Sequence, residues 1–396
     1  MIGTTLLFVL AAQDVAVRAA TLHTMAGPEI RDAVVIVRDG KIAEVGPASK
    51  VRIPAGAKVV EAAVVTPGLI DARCTVGVSG LLNTPHDQDQ IDRSAPVQAD
   101  LRAIDAFNPL DPLVAWVRGF GVTTVHTGHA PGELVPGQTA VIKTNGLPVD
   151  AAVVKPFASV AVTLGPAGLR SGEKSPGTRA KAVAMLRQEL IKAREYAAKR
   201  NASAEDKKPG RDLELETMAA VLDRKVPLSI TANRAQDISA ALRLRQEFGF
   251  DLILDSGSEA PMLLDDLKAA KVPVIVHPPM YRAWGEYENA SFTTAAVLAK
   301  AGIPVALQGG YESYVPKARV VLFEAQVAAA HGLGDEGALR AITIDAARIL
   351  GVADRIGSIE VGKDADLAMF DGDPFEYTTH CTGTLIQGRE FAGERR

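Results

Sequence analysis

LDRKVPLSI at residues 222–230, KAAKVPVIV at 268–276 and AKAGIPVAL at 299–307 repeat one pattern: the tail of a helix, a proline, then a short apolar run. Pro227, Pro273 and Pro304 each stop a helix and open a strand, where a missing N–H is tolerated. FDLILDS at 250–256 adds a strand between the first two. Strand starts then fall near residues 226, 250, 272 and 303, one βα unit apart. Unbroken apolar strands alternating with helices predict a parallel sheet covered on its outer face. Toward the N-terminus, VVTPGLIDARCT (64–75), GVTTVHTG (121–128) and QTAVIKTNG (138–146) are further candidate strands. Seven or so parallel strands over about 290 residues fit an α/β fold with a closed, TIM-like (β/α)8 barrel; an open doubly wound sheet is the runner-up. No dinucleotide or P-loop glycine fingerprint opens a helix.

The two ends of the chain have a different texture. Residues 15–25 (VAVRAATLHTM) and 33–46 (AVVIVRDGKIAEVG) alternate in strand fashion around a hairpin turn at Asp39-Gly40. Residues 356–372 (IGSIEVGKDADLAMFDG) and 383–391 (GTLIQGREF) repeat that texture. The expected organisation is therefore a small composite β-sandwich from residues 13–65 and 357–396, flanking a barrel over 66–356. Residues 165–212 are polar around a helical stretch and read as an insertion or long connection. Residues 78–112 have little periodicity and form a long loop after the first barrel strand, on the face where such folds carry their active sites.

Composition narrows the function classes. Apolar residues make up 47% of the 396, which excludes disorder as the main state and supports a sizeable core. The net charge of −4 argues against nucleic-acid binding and against a polybasic membrane patch. Cys74 and Cys381 are too few for a disulfide framework or a cysteine-rich zinc site. Residues 1–12 (MIGTTLLFVLAA) are too short to span a bilayer and lack a basic start, so they read as a cleaved leader or a buried strand. A leader would place the protein in the periplasm or outside the cell; without it the protein is cytoplasmic. No other stretch resembles an integral membrane segment.

TPGLIDARCT (66–75), with GKIAEVG (40–46) before it and GSIEVGKDADLAMFDGDP (357–374) at the far end, resembles the amidohydrolase superfamily, in particular its imidazolonepropionase-like subgroup. The resemblance implies a (β/α)8 barrel with a β-sandwich from both termini. It also implies metal-assisted hydrolysis of C–N bonds other than peptide bonds, often in cyclic amides. The implied metal ligands are His-x-His at the end of strand one, a carboxylated Lys or Glu, two further His and an Asp on the last strand. A spacing of two on a strand points both imidazoles to one face.

This chain departs from that set at nearly every position. Arg73 and Thr75 stand where His-x-His is implied, Thr231 (with Asn233 two residues on) and Ser256 where the later histidines are implied, and Gly310 where the Asp is implied. Lys143 matches the bridging lysine by place, but without imidazoles around it a plain ammonium is expected. Guanidinium, hydroxyl and glycine do not replace N, S or anionic O ligands around Zn²⁺. Fold alone does not carry function.

Several residues have both a functional and a plainer reading. Arg73 either binds an anionic ligand in place of the metal charge or pairs structurally with Asp71 or Asp255, the latter being favoured. His126, His129 and His277 lie at candidate strand ends and either form a relocated metal or acid/base site or bond backbone, again the favoured reading. His86 with Asp87, Asp89 and Asp92 reads as a solvated charge run, lacking the glycine and final Glu of a calcium loop. Glu286, Glu288, Glu312 and Lys317 lie in loops after strand ends and could line a mouth. Two functions follow. The preferred one is a non-hydrolytic protein that binds a small molecule, an anionic one where Arg73 takes the place of the metal charge, or partners an active relative; a homo-oligomer and a complex with an active relative are the alternatives for its partners. The other is a C–N hydrolase using His126, His129, Lys143 and His277. No cofactor is expected; zinc enters only with a relocated histidine site.

Overall fold

The computed structural model describes residues 13–393, apart from 173–174, 203, 205–206, 280–282 and 315. The leader reading of residues 1–12 lies outside the described residues. Two sheets organise the chain. One is a nearly closed barrel sheet of eight strands, hydrogen-bonded in sequence order: β5 (Leu69–Cys74), β6 (Val122–Gly128), β7 (Gly137–Lys143), β8 (Val153–Thr163), β9 (Leu228–Ala232), β10 (Leu252–Ser256), β11 (Val274–Val276) and β12 (Val305–Leu307). Its ends meet where Gly310 N–H donates to the Arg73 carbonyl at 3.0 Å and Cys74 bridges Gly310. Every residue of β5, β6, β7, β10, β11 and β12 is buried, as expected of strands covered on both faces.

The sheet departs from a set of uniformly parallel strands at one place. The links from β8 to β12 are parallel, as is β5 with β6, but β7 runs antiparallel to both β6 and β8. The reason lies in the connection. A parallel return needs a crossover of about a dozen residues or more, and residues 129–136 are too few, so the chain turns back. The strand at 153–163 went unrecognised in the sequence. Its first half is interrupted by Pro156 and only partly buried, while its second half, Ala158–Thr163 in effect, is the buried barrel strand. The polar segment at 165–212 contains the helix Arg179–Ala202, whose buried Ala182, Leu186, Leu190, Ala193 and Tyr196 form a stripe at helical spacing. That helix lies on the path from β8 to β9 and packs against the helices Leu213–Leu222 and Ala235–Phe248, so it covers the barrel wall.

The second sheet draws on both ends of the chain: β1 (Val15–Leu22), β2 (Ile30–Arg38), β3 (Lys41–Pro47), β4 (Lys58–Pro67), β13 (Leu367–Phe370), β14 (Cys381–Ile386) and β15 (Arg389–Ala392), in the order β15-β14-β13-β4-β1-β2-β3. Asp39 and Gly40 join β2 to β3 with φ of 50° and 75°, the left-handed pair a two-residue hairpin requires. One face of the sheet packs Val17, Leu22, Val35, Val65, Leu367 and Leu385 together; the other packs Ala16, Val34 and Ile36 with Val51. Cys74 and Cys381 are both buried and free. Among the described residues no helix is long and apolar enough to cross a membrane.

Candidate functional site

Where the parallel strands of the barrel end, their last residues surround a cavity of about 200 Å³. β5 contributes Arg73 and leads to Thr75; β9 contributes Thr231 and leads to Asn233; β10 ends at Ser256; Gly310 follows β12. All six positions where the family's ligand pattern is replaced therefore line one space. His277, directly after β11, lines it too.

Arg73 is the central charge. Its side chain is only 4% exposed, and its guanidinium donates to the Cys74 carbonyl at 2.8 Å and to the His129 carbonyl. Neither Asp71 nor Asp255 pairs with it within 4.0 Å, so the structural ion pair expected from sequence is not made. Burial lowers the guanidinium's pKa, while the field of Asp255, and then that of Asp71, opposes this. Asp71 turns to the backbone instead, accepting from Gly309 N–H at 2.8 Å and Arg73 N–H at 3.2 Å. Its burial pushes its pKa up to about 7, and its Oδ2 has no hydrogen-bond partner among the described residues.

Asp255 forms the opposite pole. It accepts from the Thr231 hydroxyl at 2.5 Å and from the Gln308 amide, with Ser256 Oγ 3.5 Å away. Asp255 and Gln308 line the cavity, and sequence reading had not placed Gln308 there. The available signal was its position two residues before Gly310, at the end of a buried strand. Ser256 has φ of 77°, a left-handed conformation that non-glycine residues seldom adopt and that clusters at functional sites. Thr75 and Asn233 engage Ser79 at 3.2 Å and Ser258 at 2.9 Å.

Gly310 and His277 fit together. Gly310 has φ of 68°, and a Cβ there would collide with the His277 imidazole. A residue with a side chain, aspartate included, cannot occupy 310 while His277 holds this place. Burial and the nearby Arg319 lower the His277 pKa to about 3, so the ring is neutral.

The other sequence candidates sit elsewhere. His126 is fully buried, with Nδ1 2.6 Å from the Ala72 carbonyl and Nε2 2.7 Å from Thr139 Oγ1. Burial, with Arg73 adding to it, lowers its pKa to about 3. His129 lends its backbone carbonyl to Arg73, while its ring packs against Gly137 and has a pKa lowered to about 4 by burial. Neither ring lines the cavity, so the three histidines do not converge there. Lys143 pairs with Thr124 across β6 and β7, which puts it where the parallel strands begin rather than where they end. Its ammonium lies 2.7 Å from both Asp364 and Asp366. Glu286 and Glu312 line the cavity, Glu312 held by Arg319 at 2.6 Å. Glu288 pairs outward with Arg234 at 2.5 Å, and Lys317 is buried 3.3 Å from Gln88 Oε1. Among the described residues no three His, Cys, Asp or Glu side chains cluster as a metal site.

The model of the amidohydrolase family, Amidohydro_3, matches residues 80–392. The chain belongs to the amidohydrolase family. The match extends to known members: the chain is 25% identical over 383 residues to the amidohydrolase tasK of Hapsidospora irregularis, covering 86% of this chain and 38% of tasK. It is 33% identical over 93 residues to an imidazolonepropionase of Fusobacterium nucleatum, covering 23% of this chain and 22% of that enzyme. The chain thus spans well under half the length of either curated relative. Among solved structures, an amidohydrolase from Thermotoga maritima superimposes with a TM-score of 0.89 at 31% identity, covering 96% of this chain and all (100%) of that one. An adenosine deaminase from Xanthomonas campestris with bound zinc shares the fold, with a TM-score of 0.59 at 17% identity, covering 96% of this chain and 92% of that one.

Proposed function

We propose that this amidohydrolase-family chain is a non-hydrolytic binding protein, whose barrel-mouth cavity takes a small molecule where the family resemblance implies divalent metal. In this reading the eight-stranded sheet is a (β/α)8 barrel altered by the reversed β7, and the seven-stranded sheet is the family's β-sandwich from both termini. One observation carries the function: a buried guanidinium, Arg73, projects where the resemblance implies the first metal-binding imidazole. A cation that cannot be deprotonated in proteins repels a dication in the same space and offers it no lone pair. The remaining replaced positions supply hydroxyls, an amide and a glycine, which are not the N, S or anionic O donors zinc takes. The His277 ring over Gly310 supports the same reading, because it fills the room an aspartate would need. The residues present do not fit a metal pair, and no catalytic step is assigned to one.

The test is metal analysis of the purified chain, combined with assays on small cyclic amides and N-acylated amino acids before and after chelation. The expected outcome is less than stoichiometric zinc or manganese and no hydrolysis. One or more tightly held ions per chain, with hydrolysis lost on chelation, would overturn the proposal. Hydrolysis that survives chelation and disappears in His277→Ala would instead establish a metal-free acid/base enzyme.

A further inference from the structure

We infer that the cavity is built for a small zwitterion, its anionic end on Arg73 and its cationic end on Asp255. The inference rests on the binding reading above and names the ligand class of the same site. A buried charge is costly unless an opposite charge or a full set of hydrogen bonds compensates it. Among the described residues, Arg73 is met at short range only by two neutral carbonyls, those of Cys74 and His129. A guanidinium carries five N–H donors, so these two leave capacity unused. Among the described residues Asp255 is likewise met only by neutral donors, the Thr231 hydroxyl, the Gln308 amide and more distantly Ser256. Both groups lie in the wall of one cavity, 4% and 2% exposed, yet they do not touch each other. Two opposite, buried, separately cradled charges make a dipolar receptor.

The charge balance decides between a zwitterion and a simple anion. An anion on Arg73 alone would face the Asp255 carboxylate across the same small space, whose wall also carries Glu286 and the Arg319-paired Glu312, and like charges brought together there oppose binding. A positive group at the other end of the ligand converts that repulsion into attraction. A further feature is a buried hydroxyl: Thr163 Oγ1, 1% exposed in the cavity wall, has no hydrogen-bond partner among the described residues and can serve the ligand. The cavity, about 200 Å³, has room for a guest of amino-acid size.

Calorimetric titration tests this with glycine, β-alanine, γ-aminobutyrate and glycylglycine, which span a range of charge separations. For each, a matched carboxylate and a matched amine carry one charge only. At least one zwitterion is expected to bind about tenfold or more tightly than either of its single-charge analogues. Asp255→Asn keeps the shape and an oxygen to accept from the Gln308 amide, with its own NH2 turned to the Thr231 hydroxyl, and should erase the advantage over the carboxylate. Arg73→Lys, or Arg73→Met if the lysine variant still binds, should erase the advantage over the amine, with thermal melts confirming the fold. Equal binding of zwitterion and carboxylate, unaffected by Asp255→Asn, would show a plain anion site and sink the inference. Absence of binding by every zwitterion would sink it as well. Metal analysis of the same preparation separates the two ideas. Stoichiometric metal defeats the binding reading itself, whereas metal-free protein without a zwitterion preference defeats only the ligand class.

Discussion

Asp71 and His126, neighbours in the barrel wall, make the stability respond to pH in opposite directions. The Asp71 pKa is raised to about 7 in the folded chain from a usual 3.8. Between those values the native state holds a proton the unfolded chain has released, so this group's contribution to stability falls as pH rises from 4 to 7, by up to about 1.4 kcal/mol per unit. His126 is lowered to about 3 from 6.5, so the unfolded chain takes up a proton the native state refuses. Its contribution is present above pH 6.5 and is lost as pH falls toward 3. Urea unfolding between pH 4.5 and 7.5 should show Asp71→Asn losing the decline toward neutral pH. His126→Gln should be about 1–3 kcal/mol less stable at pH 7, from its broken buried hydrogen bonds, but should lose less on acidification. An unchanged pH slope in Asp71→Asn would mean that its carboxyl is already ionised in the fold. At this scale sequence reading was uneven for a physical reason. Replaced positions on known strand ends point where the strand points, and Arg73, Thr75, Thr231, Asn233, Ser256 and Gly310 all reach the cavity. His126 and His129 lie equally near a strand end, but which side a ring turns to depends on packing that spacing does not encode.

At the scale of elements, the proline-opened strands were readable because each carries its own start signal, and β9, β11 and β12 begin within a residue or so of Pro227, Pro273 and Pro304. The direction of β7 was not readable from its own apolar run. It follows from the shortness of the link before it, and that reversal carries Lys143 away from the mouth. The contact of β11's end with β12's end gives a testable constraint. Gly310→Ala adds a methyl at φ of 68° directly onto the His277 ring and should cost about 1–3 kcal/mol. In a His277→Ala background the collision is gone and only the backbone penalty remains. A double-mutant cycle followed by denaturant unfolding should therefore show a coupling of about 1–2 kcal/mol. Additive effects would mean that ring and glycine are independent, and that the missing aspartate at 310 has nothing to do with His277.

For the molecule as a whole, a buried charged cluster helps tie the two sheets, beside the apolar packing of Ala368 and Phe370 against the barrel core. Lys143, at the end of β7, lies 2.7 Å from Asp364 and 2.7 Å from Asp366, which precede β13 in the second sheet; all three side chains are almost inaccessible. Asp364 is also reached by Lys41 at 2.5 Å and Arg355 at 3.0 Å, and its pKa is held down to about 2. Asp366 has no such reserve. Its other partner is the Gln387 N–H at 2.9 Å, and burial raises its pKa. Removing one member of a buried ion pair leaves an uncompensated charge, so Lys143→Met should cost about 3–5 kcal/mol in urea unfolding at neutral pH. The orphan is then Asp366 rather than Asp364, so Lys143→Met with Asp366→Asn should recover a large part of that loss, whereas Lys143→Met with Asp364→Asn should recover little. Because the cluster sits where the parallel strands begin, folded Lys143→Met should bind zwitterionic probes as the unmodified chain does. A loss of probe affinity without a loss of stability would return Lys143 to the cavity and contradict the direction of β7.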